Sequence, residues 1–228
     1  MHFVLLPGMH GTKGLFDWLI SALHEELGAD FRVSVVDYPN DQPLTIEALV
    51  DRVQRAAPTE PYVLVAESFS GPVALLHAAQ EAKQLQAVVL VATFASNPLP
   101  WWLRWVRLII CPVLFRRPAP LWLLRWWLTS DAQLAIATQQ ALRAVRPEVL
   151  AQRARLTLTL DVRSQLAEIG VPVLYLHGAC DRLLRDRGLA QLRGVRQLSA
   201  ITLEDGPHLL LQALPARCAR EIRGFLLR

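Results

Sequence analysis

The sequence predicts an α/β fold with a mostly parallel, doubly wound sheet of about six strands and an all-helical insertion. Three observations predict it. Short apolar runs recur along the chain and are continuous rather than alternating, which is typical of strands covered on both faces. Helical patterns lie between these runs, as right-handed crossovers between parallel strands require. The alternation stops between residues 97 and 160, where only helical patterns remain.

Each predicted strand is an apolar run closed by a turn signal. Pro7-Gly8 ends the first run, and Asp37-Tyr38-Pro39 ends the second. The six predicted strands are Phe3–Leu6, Phe31–Val36, Tyr62–Ala66, Ala87–Ala92, Val171–Leu176 and Ala200–Leu203. Apolar repeats at helical spacing predict helices around residues 15–23, 46–53 and 72–82.

The helical insertion divides the predicted core into residues 1–96 and 161–228. Within residues 97–160, prolines interrupt the chain and no strand pattern is present. Ser130-Asp131-Ala132-Gln133 resembles a capping box that opens a helix to about Val145. Pro147, at a first helical position, opens another that reaches about Leu160. We therefore expect roughly four helices, forming a lid over the core rather than an independent domain.

Composition excludes several classes of protein. The chain has 228 residues, of which 53% are hydrophobic and 19% charged, which excludes a disordered or low-complexity chain. Three scattered cysteines, none in a CxxC pair, exclude a disulfide framework and a zinc ribbon. No histidines and carboxylates show metal-ligand spacing, so we predict no metal and no cofactor. The first apolar run lacks a basic region before it, which predicts no export signal and a cytoplasmic location.

The positive charge is concentrated in the insertion. Residues 97–160 carry nine arginines against Asp131 and Glu148, a net charge of +7, whereas the whole chain carries +4. The same residues hold six of the seven tryptophans. Because the excess charge accompanies large apolar side chains and no basic-aromatic module for bases is visible, we predict no nucleic-acid partner.

The first candidate catalytic turn surrounds Ser68. A strand leads directly into Ser68 and a helix follows at once, which is the context of a nucleophile elbow. The sharp turn requires small residues two positions before and after it. Ala66 and Ser70 are small, although both depart from the glycines of G-x-S-x-G. Ser70 is a weaker alternative nucleophile, because Pro72 follows it two positions later, and helix capping is the alternative role for Ser68.

Two further turns supply a candidate acid and base. Asp181 follows the strand that ends at Leu176, where a carboxylate can orient an imidazole. Asp186 and Asp205 are rival acids, and an Asx turn is the alternative role for Asp181. His208 follows a tight Gly-Pro turn, and it would accept the proton of Ser68 and return it to the leaving group. We assign structural roles to the other histidines, His2, His10, His24, His77 and His177.

The loop that follows the first strand is a candidate oxyanion site. Residues 5–12 read Leu-Leu-Pro-Gly-Met-His-Gly-Thr and lie between a strand and a helix. Given an elbow at Ser68, the backbone N–H groups of Met9 and Phe69 are the predicted oxyanion donors. A plain glycine-rich turn is the alternative. The loop is neither a P-loop nor a dinucleotide fingerprint, because both glycine patterns are absent.

With these motifs, the chain resembles a small α/β-hydrolase, a serine esterase with a helical cap. The order Ser68, Asp181, His208 matches the order in that family, and residues 5–12, 178–181 and 206–208 resemble its oxyanion, acid and histidine loops. The resemblance implies hydrolysis of carboxylic esters through an acyl-enzyme formed on Ser68. The family also contains lyases, haloperoxidases and inactive members, so the fold alone does not fix the reaction.

The insertion would select the substrate. Residues 100–110 and 121–128 are apolar almost all round, and one interpretation is that they pack on each other and on the sheet. The other interpretation is an acyl-binding tunnel in which Trp102, Trp105 and Trp126 contact the substrate. Each buried methylene would contribute about 0.8 kcal/mol, which favours a medium acyl chain. The arginines would attract a carboxylate, a phosphopantetheine, an acidic acyl-carrier protein or an anionic membrane surface.

Three functions remain open beside the small-molecule esterase. The first is a thioesterase or an esterase of acyl-carrier-protein methyl esters, because small capped esterases of that kind have a similar overall plan. The second is a non-catalytic module that uses the same fold to bind a ligand. The third is a membrane-surface module that uses the tryptophans and arginines as an interfacial anchor.

Overall fold

The computed structural model describes residues 1–28, 30–80 and 82–227, apart from the side chain of Arg104. Six strands form one sheet in the order β2-β1-β3-β4-β5-β6, and every neighbouring pair is parallel. The strands are β1 His2–Leu6, β2 Arg32–Val35, β3 Tyr62–Glu67, β4 Leu85–Val91, β5 Val173–Gly178 and β6 Leu198–Leu203. The predicted α/β fold is confirmed, with a sheet that is wholly rather than mostly parallel. β5 begins two residues later than predicted, because Pro172 lacks the N–H that a ladder requires.

Helices cover both faces of the sheet. On one face lie α1 Asp17–Leu27, α8 Leu210–Ala213 and α9 Pro215–Leu226. On the other lie α2 Ile46–Ala56, α3 Gly71–Ala79 and α7 Arg187–Gln191. Successive residues of a strand alternate between the two hydrophobic cores: Phe3 and Leu5 face the first group, whereas Val4 and Leu6 face the second. This alternation explains why the strands read as continuous apolar runs.

Between β4 and β5 the described chain is helical. A 3-10 helix spans Trp101–Leu108 and a shorter one spans Pro112–Phe115. They are followed by α4 Leu121–Trp127, α5 Ala132–Arg143, α6 Pro147–Thr159 and a 3-10 helix at Arg163–Glu168. Ser96 and Asp161, at the two ends of residues 97–160, form an isolated antiparallel bridge. Residues 97–160 are called the helical insertion below.

Two local features of the insertion differ from the sequence predictions. The N-cap of α5 is Asp131 rather than Ser130, and its Oδ1 accepts hydrogen bonds from the N–H groups of Gln133 and Leu134 at 2.7 and 3.1 Å. A carboxylate at that position also complements the positive end of the helix dipole. The tryptophan-rich residues 101–108 form a 3-10 helix rather than an α-helix. α6 begins at Pro147, as predicted.

Candidate active site

Ser68 lies at a sharp turn between β3 and α3. Its φ is +50°, a left-handed conformation that costs energy for a residue with a side chain. Ala66 and Ser70 are fully buried on either side, which explains the need for small residues there. A Cβ at Gly71 would lie 1.9 Å from Oγ1 of Thr93, so only glycine fits at the start of α3. The Thr93 hydroxyl in turn donates a hydrogen bond to the carbonyl of Ser68 and holds the turn in place.

A chain of two hydrogen bonds joins the predicted acid, base and nucleophile. The Ser68 Oγ lies 2.9 Å from His208 Nε2, and His208 Nδ1 lies 2.8 Å from Asp181 Oδ2. Because an ionised carboxylate only accepts, Nδ1 carries the imidazole proton, and Nε2 is left to accept the hydroxyl proton of Ser68. The other Asp181 oxygen accepts from the N–H groups of Leu183 and Leu184, at 2.8 and 3.0 Å. These bonds fix the orientation of the carboxylate.

The electrostatics of Asp181 suit an acid that stays ionised. The residue is buried, at 3% exposure. Burial alone raises the pKa of Asp181, but the charge of His208 and the hydrogen bonds from His208, Leu183 and Leu184 together outweigh it, so the pKa lies below its usual value. An ionised Asp181 can stabilise the imidazolium that forms when His208 takes a proton.

The rival residues take other roles. Asp205 is exposed and forms an ion pair with Arg217, at 3.7 Å. Asp186 is the residue that precedes α7. Ser70 forms a buried hydrogen bond with the hydroxyl of Tyr38, at 2.8 Å. None of the three takes part in the hydrogen-bonded chain at His208.

The loop that carries Met9 is fixed from the helical insertion. Arg153 of α6 donates hydrogen bonds to the carbonyls of Met9 and Pro39, at 2.6 and 2.9 Å, and its guanidinium lies 5.8 Å from the ring centre of Tyr38. Gly11 has φ +75°, and a Cβ there would lie 2.5 Å from Arg153 Nη1. Burial lowers the pKa of Arg153 to about 10. Arg153 is among the arginines that the sequence predicts would attract an anion. In the structure Arg153 is buried, and its hydrogen bond to the Met9 carbonyl holds this loop in place.

The two predicted oxyanion donors lie on different loops: Met9 on the loop held by Arg153, and Phe69 at the turn after Ser68. Met9 belongs to the loop that Arg153 holds through a hydrogen bond. Phe69 follows Ser68 directly and lies in the 3-10 helix Ser68–Ser70. The first N–H groups of a helix have no partner within that helix. Among the backbone hydrogen bonds of the described loops and turns, neither N–H is a donor. Met9 and Phe69 therefore stay the predicted oxyanion donors.

A cavity of about 380 Å³ opens beside Ser68 and His208, between the core and the insertion. That volume lies within the usual range of small-molecule sites, roughly 300–1,000 Å³. Its wall is mainly apolar and is formed by Met9, Phe115, Pro118, Ala119, Leu124, Leu128, Leu142, Val145, Pro147, Leu150, Leu183 and Leu209. Its polar lining includes His10, Glu67, Thr138, Gln139, Arg116, Arg117 and Arg143.

The three tryptophans predicted to bind substrate are absent from this cavity wall. Trp102, Trp105 and Trp126 are 58%, 56% and 56% exposed. Leu124 of α4 and Leu128, the residue that follows this helix, are four residues apart and both line the cavity. The prediction for the tryptophans is therefore corrected, because Leu124 and Leu128 line the cavity whereas the three tryptophans are exposed outside it. The i, i+4 leucine pair was the available sequence signal.

Sequence reasoning also missed two polar residues of the wall. Glu67 precedes Ser68, and its carboxylate accepts no hydrogen bond from any described residue although it is only 1% exposed. His10 Nε2 lies 3.9 Å from Glu67 Oε2, and His10 Nδ1 accepts from the N–H of Thr12. His10, to which we assigned a structural role, thus faces the cavity. Its place beside Met9 in the predicted oxyanion loop was the signal that could have found it.

Metal-binding clusters and membrane-spanning helices are both absent from the described part of the chain. Among residues 1–28, 30–80 and 82–227, no three histidine, cysteine or acidic side chains come together as a metal site. No helix in these same ranges has the length and hydropathy needed to cross a bilayer.

Comparison with known proteins places the chain among hydrolases. A family model described as serine aminopeptidase, S33, matches residues 40–211. A thermophilic esterase from Thermogutta terrifontis is 22% identical with a TM-score of 0.79, and the match covers 99% of this chain and 89% of that one. A bromoperoxidase from Bacillus anthracis is 13% identical with a TM-score of 0.83, covering 100% and 92%.

An enol-lactonase from Burkholderia xenovorans is 19% identical with a TM-score of 0.76, and the match covers 100% of this chain and 91% of that one. At such identities the solved structures share the fold with this chain, and their reactions differ from one another. None of the curated proteins matches the chain significantly.

Proposed function

The chain belongs to the serine aminopeptidase (S33) family of α/β-hydrolases, and on that premise we propose that it is a serine hydrolase that cleaves carboxylic esters. One observation carries the proposal. The hydrogen-bonded chain of Ser68, His208 and Asp181 borders a cavity whose wall is mainly apolar. Such a wall suits a hydrocarbon chain, since most of the residues that line it are apolar.

The proposed mechanism has two steps. His208 Nε2 takes the proton of the Ser68 hydroxyl while its oxygen attacks the ester carbonyl, and the N–H groups of Met9 and Phe69 stabilise the oxyanion. The imidazolium then gives that proton to the departing alcohol, which leaves an acyl group on Ser68. In the second step His208 takes a proton from water, the resulting hydroxide attacks the acyl group, and the acid leaves as the proton returns to Ser68. Asp181 stays ionised throughout and stabilises the imidazolium.

A medium acyl chain is the proposed substrate group. Leu124, Leu128, Leu142 and Leu150 provide the apolar contacts that Trp102 was predicted to provide. Each methylene buried against them contributes about 0.8 kcal/mol, so a few carbons set a preference for chain length.

A second candidate reaction is hydrolysis of a thioester or of an ester on an acyl-carrier protein. It is favoured by Arg116, Arg117 and Arg143, which line the cavity and are also exposed. Arginines in that position would bind a phosphate on the leaving group, such as that of a phosphopantetheine thiol.

An activity screen over acyl lengths, with matched esters and thioesters, tests both candidates. We expect Ser68→Ala to lower turnover on the order of a thousand-fold or more, with an unchanged circular dichroism spectrum. Ser21→Ala, which changes an exposed serine of α1, is the matched control and should keep full activity. Wild-type turnover in Ser68→Ala would contradict the assignment. Equal rates across all acyl lengths would contradict the role of the apolar wall.

A further inference from the structure

The outer face of the helical insertion is unusually apolar. Among the described residues, fourteen large hydrophobic side chains are exposed, and eleven of them come from residues 101–127. The eleven are Trp101, Trp102, Trp105, Leu108, Ile109, Val113, Leu114, Leu121, Trp122, Trp126 and Trp127. Exposed hydrophobic residues that occur singly need no explanation, but this many on one short stretch indicate a surface that another body covers. We call these residues the tryptophan surface.

The exposed area is large for a protein of this size. The six tryptophans of this surface are between 43% and 79% exposed. With roughly 200 Å² on each side chain, they alone expose on the order of 700 Å² of mainly apolar area. Apolar side chains that are exposed singly are ordinary on a monomer, whereas these six lie within residues 101–127.

Positive charge accompanies the tryptophan surface. The sequence has no acidic residue between Glu81 and Asp131. Arg107, Arg116 and Arg125, which are all exposed, lie in the same stretch. A binding partner that matches this surface would therefore present negative charges to the arginines and an apolar region to the tryptophans.

Hydrogen bonds from neighbouring helices hold this stretch in place. Arg155 of α6 donates to the carbonyl of Ile110, at 2.8 and 3.0 Å. Gln139 of α5 donates to the carbonyl of Ala119, at 2.7 Å. The backbone that carries the tryptophan surface is therefore tied to the rest of the insertion at two points.

The end of α4 is also tied to the core. The N–H of Leu209 donates to the carbonyl of Leu128, at 3.0 Å, which joins α4 to the loop that carries His208. The inner side of the stretch is occupied, because Leu124 and Leu128 line the cavity.

We propose that the tryptophan surface docks on an anionic lipid bilayer. Tryptophan and arginine together are the side chains that favour the boundary between lipid headgroups and hydrocarbon. The protein would lie on the membrane with the outer face of the insertion in the interface. Because Phe115 and Leu124 of the same stretch line the cavity, docking places the cavity wall next to the lipid.

Charge complementarity favours a bilayer over a second copy of the chain and over an acidic protein as the partner of this surface. In a symmetric dimer the surface would face its own copy, so arginines would lie against arginines. An acidic protein would pair with the arginines but would have to cover a row of tryptophans as well. A bilayer with anionic headgroups satisfies both features, since the headgroups pair with arginine and the acyl region accepts the indole rings.

Co-sedimentation with vesicles tests the docking of the full chain. The probes are vesicles of equal parts phosphatidylcholine and phosphatidylglycerol, and vesicles of phosphatidylcholine alone. We expect binding to the anionic vesicles, weaker binding to the neutral ones, and a loss of the difference at high salt because salt screens the arginines. Equal binding to both kinds of vesicle, or none to either, would overturn the proposal.

Matched variants locate the contact. Trp101→Ser combined with Trp122→Ser should weaken vesicle binding about tenfold or more, because both side chains would otherwise be buried in the interface. Trp18→Ser is the control, since Trp18 is also exposed, at 42%, but lies on α1. Arg107→Gln should weaken binding about five-fold, whereas Arg193→Gln, at an exposed position outside the insertion, should not. Equal losses in variant and control would contradict the assigned surface.

Two further readouts separate the alternatives. Sedimentation velocity without vesicles should give a monomer; a dimer that the two tryptophan changes dissociate would instead assign the surface to a second copy. Binding is measured without substrate and does not depend on Ser68. Loss of hydrolysis in Ser68→Ala with intact vesicle binding is therefore the expected result, and the docking can fail while the proposed hydrolase function stands.

Discussion

The two sides of the helical insertion differ in how their charged and aromatic groups are partnered. On the inner side, Arg153 is buried and bonded to two carbonyls. On the outer side, Arg107 is exposed in the tryptophan-rich residues 101–108. Two arginines of the insertion thus have different environments: Arg153 is part of the buried interior, and Arg107 is exposed to solvent. From this difference we infer that the insertion has two roles. Its inner side positions the predicted oxyanion loop, and its outer side carries the tryptophan surface.

The edge of the sheet that carries Ser68 resembles the inner side of the insertion. There, Ser68, His208 and Asp181 each have a hydrogen-bond partner with ordinary geometry. Groups with fixed partners are preorganised for chemistry, whereas exposed apolar side chains such as Trp101 and Trp122 are available to bind something else. Substitutions at the sheet edge, on the inner side and in the cavity wall test this comparison.

Among substitutions that leave the Ser68 hydroxyl in place, Asp181→Asn should have the largest effect on catalysis. The amide would no longer stabilise the imidazolium of His208, so we expect kcat for ester hydrolysis to fall roughly 10⁴-fold. Steady-state kinetics on a medium-chain ester measures the effect. Asp205→Asn is the control, because that exposed acid pairs only with Arg217 among the interactions described for it, and it should change kcat less than about two-fold. Equal losses in the two variants would break the distinction between the acid of the site and its neighbour.

Arg153→Met should have an intermediate effect on both stability and rate. It leaves the carbonyls of Met9 and Pro39 without their donor, and we expect the free energy of unfolding to fall by about 3 kcal/mol. Because the Met9 loop also loses its support, kcat should fall about tenfold. Urea unfolding and steady-state kinetics measure the two effects.

Arg155 offers a matched control for that change, two residues further along α6. It is exposed and bonds only to the carbonyl of Ile110 among the described residues. Arg155→Met should lower the free energy of unfolding by less than about 1 kcal/mol and leave kcat unchanged. A larger effect at Arg155 than at Arg153 would contradict the inner and outer roles assigned here.

Leu142→Trp should change the selectivity for acyl length rather than the catalytic groups. The larger side chain would fill part of the cavity and displace about two methylenes of substrate, which lowers the rate with medium-chain esters about tenfold relative to acetate esters. Trp102→Ala should leave that ratio unchanged, since Trp102 lies outside the cavity wall. The ratio of kcat/KM values for the two esters measures both variants. A change of the ratio in Trp102→Ala alone would restore the original tryptophan tunnel.

The fold and the three candidate catalytic positions could be predicted from the sequence because their signals are local. A strand buried on both faces is a continuous apolar run, and the turns after Leu176 and Leu203 contain the glycines that such turns need. Ser68 could be predicted although the flanking glycines are missing, because small size at positions 66 and 70 is what the turn requires.

The insertion could not be predicted to the same depth, because its sequence does not say which side faces the core. Residues 121–128 are apolar almost all round, and only the folded structure shows that Leu124 lines the cavity whereas Trp126 lies outside it. Arg153 reads like any other arginine of the segment until its distance to the Met9 carbonyl is known. The N-cap of α5 fell one residue away from the prediction, because Ser130 and Asp131 are both good capping residues.

The central claim is that Ser68 acts as the nucleophile of a hydrolase. Incubation with a fluorophosphonate probe, followed by intact mass and peptide mapping, measures this directly. The account predicts one probe per chain, attached to Ser68, with loss of ester hydrolysis in proportion to labelling, and no labelling of Ser68→Ala. Two results would contradict it. One is a protein that stays unlabelled and fully active at saturating probe; the other is a probe attached to a different residue with the same loss of activity.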